Sequence, residues 1–450
     1  MDTRELREAF ETRRIRRVKL GGFDIDGVLR GKYMSLDKFW SAVDKGFGFC
    51  DVIFGWDVAD QLYDNAELTG WHTGYPDALA RIDLDSFRVL PSEPETAHLL
   101  VDFWEEPGKP HPACPRNLLK TVVARAETAG YQPRFSVEYE FWIFRETPES
   151  LRTKHFRDLT PISPGMFGYS WVREGQHHEL IEDVLDEMGA YGIDIEALHT
   201  ETGPGVYEAA IRYTDALGAA DQAALFKTTL KILLGRRGLV PTFMAKWNPA
   251  LPGSSGHIHQ SLWDAQRNLF ADASGAHGLS TLGRHYLAGL VGTCPELTAL
   301  YAPTINSYKR YVPGLWAPLT ATWGVENRTC AVRVINGPGA SAARLELRQT
   351  AADINPYIAV ATSLAAGLHG VSEGREPPPP AGGDATAATG AATLPHSLAE
   401  ATARLAQSEL ARKILPAGFV NHYVRTRDWE VRQYARTVGE WELDRYFEAI

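Results

Sequence analysis

"RFSVEYEFWIF", residues 134–144, has the aromatic and β-branched composition of a strand inside a packed sheet. Glu138 and Glu140 nevertheless lie in the middle of it. Because side chains on a strand point alternately to opposite faces, both carboxylates lie on the same face. Two like charges side by side are unfavourable unless positive charge lies between them. The stretch therefore predicts a buried strand whose polar face meets a cation.

The whole chain has an ordinary globular composition, with 450 residues, 44% hydrophobic and 23% charged. A formal net charge of −10 argues against binding to nucleic acid or to an anionic membrane. Four cysteines without a CxxC pair make a disulfide framework or a cysteine zinc site unexpected, and they fit a reducing cytoplasm. Neither a signal peptide nor a membrane span is expected, because the start is charged and no long apolar run follows.

The pattern along the chain predicts a small β-rich domain, residues 1–107, and a large α+β domain, residues 108–450, joined by a Pro-rich stretch. Residues 16–34 alternate like a hairpin around the turn sequence "DIDG". The low-complexity segment 375–395 is expected to be a mobile loop. Helices are predicted at residues 1–14, 36–46, 117–129, 177–190, 215–237, 278–299, 355–369, 396–412 and 427–447.

Polar side chains replace the expected apolar ones in four further stretches. Glu201 and Glu208 flank the Gly-Pro-Gly turn of "HTETGPGVYEAAI", which would let the two carboxylates face each other. The other stretches are strand-like, and their polar residues are His257 and His259; Arg328 and Arg333; and Arg344, Glu346 and Arg348.

Each pattern also has a plainer interpretation. Glu-x-Glu can be a solvated sheet face, His-x-His can lie satisfied at a strand edge, and Arg-x-Glu-x-Arg can be a surface ladder of little energetic value. The apolar flanking residues instead favour enclosed faces. Together, the arginines suit phosphate and carboxylate groups of a substrate, as in two-metal phosphoryl transfer. The residues that suit two hard divalent cations are Glu138, Glu140, Glu201, Glu208, Glu346 and His257.

In these motifs and their order, the chain resembles the glutamine synthetases from near its start to its end. The matching stretches are "DIDGVLRGK" (24–32), "EYEF" (138–141), "HTETGPGVYE" (199–208), "FMAKWNP" (243–249), "GSSGHIHQSL" (253–262), "NSYKRYVPG" (306–314), "NRTCAVRV" (327–334), "RLELRQTAADINPY" (344–357) and "WELDRYF" (441–447).

The resemblance implies an α+β glutamine synthetase fold, with a small β-grasp-like amino-terminal domain and a large catalytic domain built on a curved antiparallel sheet. It also implies a homo-oligomer, a dodecamer of two hexameric rings, whose active sites form between the small domain of one subunit and the large domain of the next. The implied chemistry uses ATP as a substrate and two or more Mg²⁺ or Mn²⁺ ions, and it passes through an acyl phosphate of glutamate.

Site roles follow from the resemblance, residue by residue. The metal that serves glutamate is implied to bind Glu140, Glu201 and Glu208. The metal that serves the ATP phosphates is implied to bind Glu138, His257 and Glu346. Glutamate is implied to contact Arg310, Arg348, Gly253 and, through its metal, Glu201. ATP is implied to contact His199, His259, Ser261, Arg328, Arg333 and Arg344. The residues implied to act in catalysis are Arg310, Arg328 and Trp316.

Two departures from the family pattern concern the ammonium site. Trp316 occupies the loop position where glutamine synthetases carry a glutamate that binds and deprotonates ammonium. The amino-terminal "DGSS" motif is also missing, and Asp51 and Asp57 in "FCDVIFGWDVADQLYDN" (49–65) are the candidate stand-ins. A tryptophan can pack an alkyl or aryl group or contact a cation through its π-face. The pattern resembles the γ-glutamyl-amine ligases of the same family, which join glutamate to organic amines.

The sequence thus predicts an ATP-dependent ligase that joins the γ-carboxylate of glutamate to an organic primary amine. One alternative is a true glutamine synthetase in which Asp51, Asp57 or Glu326 supplies the missing carboxylate, with Trp316 merely packing its loop. Another alternative is a non-catalytic structural or regulatory protein on the same fold. That last alternative would be favoured by loss of a metal ligand or a phosphate-binding arginine, and the sequence retains them all.

Overall fold

The computed structural model describes residues 1–388 and 390–450. Its helices are α1 (Thr3–Thr12), α2 (Leu36–Ala42), α3 (Pro115–Thr128), α4 (Pro148–Thr153), α5 (Trp171–Gln176), α6 (His178–Ala190), α7 (Ala216–Gly235), α8 (Thr281–Tyr301), α9 (Pro356–Ser372), α10 (Leu398–Gln407), α11 (Glu409–Ile414), α12 (Ala417–Ala435) and α13 (Glu440–Tyr446). Within the described residues, none of these helices combines the length and apolar character that crossing a membrane requires.

The strands form two sheets. They are β1 (Arg17–Phe23), β2 (Leu29–Met34), β3 (Phe47–Cys50), β4 (Asp77–Val89), β5 (Thr96–Glu106), β6 (Lys109–Pro110), β7 (Gln132–Phe144), β8 (Ile195–Thr200), β9 (Val206–Ile211), β10 (Thr214–Asp215), β11 (Val240–Thr242), β12 (Gly256–Trp263), β13 (Trp323–Val325), β14 (Val332–Ile335) and β15 (Arg344–Leu347).

The smaller sheet has the order β2-β1-β5-β4-β3, and β6 pairs with β5. The predicted hairpin is confirmed: β1 and β2 pair antiparallel and are joined through the "DIDG" turn. Strand β1 also pairs in parallel with β5. The predicted domain boundary after residue 107 lies between β5 and β6 and stays a prediction.

The larger sheet has the order β13-β14-β15-β12-β7-β9-β8, and β10 and β11 also pair with β7. It is the curled half-barrel sheet of the predicted glutamine synthetase fold, and its pairs are antiparallel except for β13 with β14. The predicted strand at its centre is confirmed as β7. On one face of β7, Tyr139 and Phe141 pack against Phe226 of α7. The opposite face, which carries Glu138 and Glu140, is therefore turned away from the helical core.

Most predicted helices are confirmed, but the carboxy-terminal region differs. The predicted helix 396–412 is two helices, α10 and α11, because Ser408 caps the second one by accepting a hydrogen bond from the backbone of Ala411. The predicted helix 427–447 is also wrong in its bounds. Helix α12 begins ten residues earlier, at Ala417, and it ends before Gly439, after which α13 begins.

The segment 375–395 is not simply a free loop, apart from Thr389, which lies outside the described residues. Trp323 Nε1 donates a hydrogen bond to Pro378 O at 2.7 Å, and Ala381 N donates to Trp323 O at 2.8 Å. Thr393 forms a bridge with Thr320. Backbone groups thus attach this low-complexity segment to the edge of the larger sheet, a contact that composition alone does not reveal.

Two buried histidines lie where the small sheet meets α12. The ring of His111 stacks on Phe54 at 4.6 Å, and His422 projects from α12. Burial lowers the pKa of His111 to about 4. Burial, together with the nearby His111, lowers the pKa of His422 to about 3. Both imidazoles are therefore neutral in the folded protein near neutral pH.

Acid is expected to destabilise the fold through these two side chains. Their pKa values are lower in the folded chain than in the unfolded chain, so the unfolded state binds more protons and stability falls as the pH drops from about 6.5 toward about 4. At pH 5 the loss is about 2 kcal/mol for each imidazole. Thermal unfolding is measured at pH 7 and at pH 5. The difference between the two Tm values should be smaller in His422→Leu than in the unaltered protein, whereas the same substitution at the exposed His396 should leave that difference unchanged. An equal gap in His422→Leu and the unaltered protein would contradict the assignment.

Candidate active site

Strand register brings the predicted polar residues together on one face of the larger sheet. Glu138 on β7 is opposite His257 on β12, and Glu140 is opposite Glu208 on β9. The remaining cross-strand pairs are His199 with Glu208, His259 with Glu346, and Arg333 with Glu346. Directly opposed residues in antiparallel strands point to the same face. The period-two patterns therefore converge on one site.

The first group of side chains surrounds Glu138. His257 Nδ1 lies 3.4 Å from Glu138 Oε2 and 3.4 Å from Glu346 Oε1. His259 Nε2 lies 3.3 Å from Glu138 Oε2. Burial acts to raise the pKa of Glu138, yet its hydrogen bonds with both imidazoles hold that pKa well below its usual range. Glu138 is therefore an anion in the middle of the site.

Two arginines act on the buried carboxylate of Glu346. Arg333 Nη1 lies 3.1 Å from Glu346 Oε2, and Arg348 pairs with Oε1. Against the effect of burial, Arg348 and His257 lower the pKa of Glu346 to about 2. This carboxylate is ionised across the physiological pH range and is already partly neutralised by cationic side chains.

The second group contains the other glutamates. His199 Nε2 lies 3.1 Å from Glu208 Oε1, and Nδ1 lies 4.0 Å from Glu201 Oε1. Burial, together with Glu138 and Glu140, raises the pKa of Glu208 to about 8. Burial opposes a charge on His199 too, but the hydrogen bond with Glu208 raises its pKa to about 9. The two side chains therefore share a hydrogen bond, and the carboxylates grouped around Glu208 favour protonation at both of them.

The donor set fits divalent cations. Burial also raises the pKa of Glu140, so the grouped carboxylates are short of positive charge. The buried Nε2 of His257 has no hydrogen-bond partner among the described residues. The sets of side chains close enough to share one ion are Glu138, His259 and Glu346; Glu138, Glu208 and His257; and His199, Glu201 and Glu208. Carboxylate oxygens with imidazole nitrogens are suitable ligands for Mg²⁺ or Mn²⁺.

The residues predicted to contact glutamate lie beside this cluster. Arg310 is buried and donates hydrogen bonds to Arg348 O at 2.9 Å and to Ser255 Oγ at 3.0 Å. Ser255 N in turn donates to Glu140 Oε2 at 2.7 Å. Gly253 packs closely on Arg310, since a Cβ at Gly253 would lie 2.8 Å from Arg310 Cγ. The predicted carboxylate grip and the predicted metal ligands are thus directly connected.

A cavity of about 390 Å³ adjoins the first group and is lined by His259, Ser261 and Arg344 together with Glu138. Arg344 Nε donates a hydrogen bond to His259 Nδ1 at 3.2 Å, and Ser261 Oγ accepts one from Trp263 Nε1 at 3.0 Å. These three residues, predicted to contact ATP, therefore share one pocket that opens onto the carboxylates. His199 is placed differently, since its imidazole contacts Glu201 and Glu208.

Two predicted catalytic residues, Trp316 and Arg328, have exposed side chains. Trp316 is 66% exposed and has a left-handed backbone, with φ of 63°. The Arg328 side chain is exposed, and its carbonyl accepts a hydrogen bond from Arg348 Nε at 2.9 Å. Neither side chain is part of the hydrogen-bonded cluster described above.

The candidate stand-ins for the missing carboxylate have other contacts within this chain. Asp51 accepts a hydrogen bond from Thr69 Oγ1 at 2.7 Å, and Asp57 accepts from the backbone of Ala59 and Gln61. Glu326 pairs with Arg333, so it is the candidate that lies beside the site within one chain.

The sequence did not indicate two residues that contact the site. They are Ser255, within the quoted "GSSGHIH" stretch, and Tyr169, whose ring stacks on His199 at 4.3 Å. The signal for Tyr169 was the aromatic run "MFGYSW", residues 166–171.

Comparison with known proteins agrees with this geometry. The protein-family model "Glutamine synthetase, catalytic domain" matches residues 112–446 of this chain. Type-1 glutamine synthetase 2 of Dictyostelium discoideum is 47% identical over 96% of this chain and 84% of its own length. The glutamate–isopropylamine ligase of a Pseudomonas species is 39% identical over 99% of this chain and 98% of its own length. The gamma-glutamylethanolamide synthetase of Streptomyces coelicolor is 38% identical over 95% of this chain and 91% of its own length.

A solved structure of GmaS in complex with ADP superimposes with a TM-score of 0.86 at 29% identity, covering 98% of this chain and 99% of the other. The likeness extends over both sheets. With its two-sheet fold, its converging carboxylates and a family match over most of its length, the chain belongs to the glutamine synthetase family.

Proposed function

We propose that this protein is an ATP-dependent ligase that joins the γ-carboxylate of glutamate to an organic primary amine. The observation that carries the proposal is a complete set of phosphoryl-transfer side chains combined with Trp316 where glutamine synthetases carry a glutamate. One relative over nearly the whole chain is named for the amine isopropylamine and another for the product gamma-glutamylethanolamide, which supports an organic acceptor.

In the proposed reaction, Arg310 and Arg348 orient glutamate and Arg328, Arg333 and Arg344 hold the phosphates. An oxygen of the γ-carboxylate attacks the terminal phosphorus of ATP and the bond to ADP breaks. The amine nitrogen then attacks the acyl carbon, phosphate leaves, and the nitrogen loses a proton as the amide forms.

Divalent ions have a supporting part in this proposal. Mg²⁺ or Mn²⁺ held by Glu138, Glu140, Glu201, Glu208, His257 and Glu346 would neutralise charge on the phosphate oxygens. The carboxylates supply the negative charge of the site, and the sheet fixes the spacing between them. Arg333 and Arg348 already offset part of the negative charge of Glu346, so a bound ion would have less of it to neutralise.

The assembly and the compartment are also part of the proposal. A ring-shaped homo-oligomer, a dodecamer of two hexamers, would cover exposed aromatic side chains such as Trp316, in the loop that follows Arg310, and Tyr169, whose ring stacks on His199. A cytoplasmic location agrees with the four cysteines, which are all free thiols in the structure.

An amine panel tests the proposed function. With ATP, glutamate and Mg²⁺, phosphate release is expected to be at least about ten-fold faster with one organic amine than with ammonium, because an apolar wall favours an alkyl or aryl group. The panel is methylamine, isopropylamine, ethanolamine, putrescine, spermine and aniline, with each product checked by mass spectrometry. Ammonium acting faster than every amine would overturn the proposal.

The second candidate function is glutamine synthesis from ammonium. It is favoured by the name of the Dictyostelium relative at 47% identity and by the position of Glu326 beside Arg333. Both functions share the first half-reaction, so ATP cleavage alone does not separate them. The identity of the preferred nucleophile does.

A further inference from the structure

The "DIDG" turn of the small sheet, residues 24–27, contacts Asn355 at the start of α9 and Arg427 of α12. Asn355 Nδ2 donates hydrogen bonds to Asp24 O at 3.1 Å and to Ile25 O at 3.3 Å. Gly27 has a φ of +78°, and a Cβ there would lie 3.3 Å from Asn355 Cα. The turn therefore needs glycine both for its backbone and for this close contact.

Asp26, in the same turn, forms a buried ion pair with Arg427 of α12. The two side chains are 8% and 4% exposed. Arg427 has a second acceptor, because its Nη1 donates to Pro303 O at 2.8 Å. One guanidinium thus joins the small sheet to the beginning of segment 303–310.

Segment 303–310 ends at Arg310, and a second set of contacts holds it to the loop that follows β15 and contains Arg348 and Asp353. Asp353 Oδ2 accepts hydrogen bonds from Thr304 Oγ1 at 2.7 Å and from Ser307 Oγ at 2.8 Å. Arg310 itself donates to Arg348 O at 2.9 Å. Both arginines of the predicted carboxylate grip therefore lie on segments that contact the turn directly or through Arg427.

We propose that Asp26 and Arg427 are positioning residues for the glutamate site. Their ion pair and the bond to Pro303 O set where segment 303–310 lies, and with it the guanidinium of Arg310. This inference rests on the proposed function, because it assumes that Arg310 grips the glutamate carboxylate. Neither Asp26 nor Arg427 needs to touch substrate for this role.

The variant Arg427→Lys distinguishes an effect on the position of segment 303–310 from an effect on the stability of the fold alone. A lysine keeps the charge beside Asp26 but loses the forked geometry that reaches Pro303 O as well. The matched control is Arg116→Lys. Arg116 is also 4% exposed, and it pairs with Asp83 and Asp102 of the small sheet and with Asp221 of α7, away from segment 303–310.

We expect Arg427→Lys to raise the KM for glutamate about ten-fold, with the KM for ATP and kcat changed less than about two-fold. Arg116→Lys should lower Tm without raising the KM for glutamate. If Arg427→Lys does not fold, Asp26→Asn is measured in its place. The inference is overturned by an unchanged KM for glutamate, by an equal rise in Arg116→Lys, or by failure of both site variants to fold while Arg116→Lys folds.

The unaltered protein is assayed first. If it shows no glutamate-dependent release of phosphate, the proposed function fails, and the inference fails with it. If it is active and the KM for glutamate does not respond to Arg427→Lys, only the inference fails.

Discussion

Glu138→Gln is expected to lower kcat/KM for γ-glutamyl amide formation at least about a hundred-fold. Glu138 contacts both His257 and His259, and it belongs to two of the three groups of side chains that are close enough to share an ion. Glutamine keeps the shape of the side chain but removes the negative charge. The two imidazoles then lose their anionic partner, and a cation loses one of its ligands.

Two measurements check this result. Product formation is followed at saturating ATP, and Mn²⁺ binding is followed by calorimetry. Glu106→Gln, at the exposed end of β5, is the control and should leave both unchanged. A Glu138→Gln protein that keeps its activity within about ten-fold and binds Mn²⁺ normally would show that the ion site lies elsewhere.

Trp316→Glu is expected to raise the preference for ammonium over the best organic amine at least about ten-fold, measured as the ratio of the two kcat/KM values. The change replaces an apolar ring with the anion that an ammonium ion needs beside it. It also removes the surface against which an alkyl or aryl group would pack. Activity with the organic amine should fall while activity with ammonium rises.

The control for this experiment is Trp441→Glu. Trp441 lies on α13 and is 63% exposed, close to the 66% of Trp316, so the two substitutions alter the surface similarly. An unchanged ratio in Trp316→Glu would mean that Trp316 only packs its loop. If the unaltered protein already prefers ammonium, glutamine synthesis becomes the function, with Glu326 as the carboxylate to test next.

Local regularities of the chain were predictable from sequence. Alternation along residues 134–144 correctly places Glu138 and Glu140 on one face of β7, because the direction of side chains along a strand depends only on the backbone of that strand. The "DIDG" hairpin and the starts of α3, α6, α7, α8 and α9 follow from local turn and helix signals as well.

Ordered motifs took the sequence further than local signals. They identified the family, since many short stretches in one order are specific even where each alone is weak, and they predicted the site residues as a set. They did not indicate how the carboxy-terminal helices divide. They also did not indicate that segment 375–395 attaches to the sheet edge, because its backbone contacts leave no mark in composition.

Which side chains face each other across the larger sheet was decided only by the tertiary structure. That Glu138 faces His257 and Glu140 faces Glu208 depends on the register between strands distant in sequence, which is set by packing of the opposite face on α7. The register between β8 and β9 places His199 against Glu208, and the contact between the small sheet and α12 brings the "DIDG" turn to Arg427. The sequence determined which residues are polar and which way each strand turns them; the structure determined which of them meet, because meeting requires long-range contacts that no local pattern encodes.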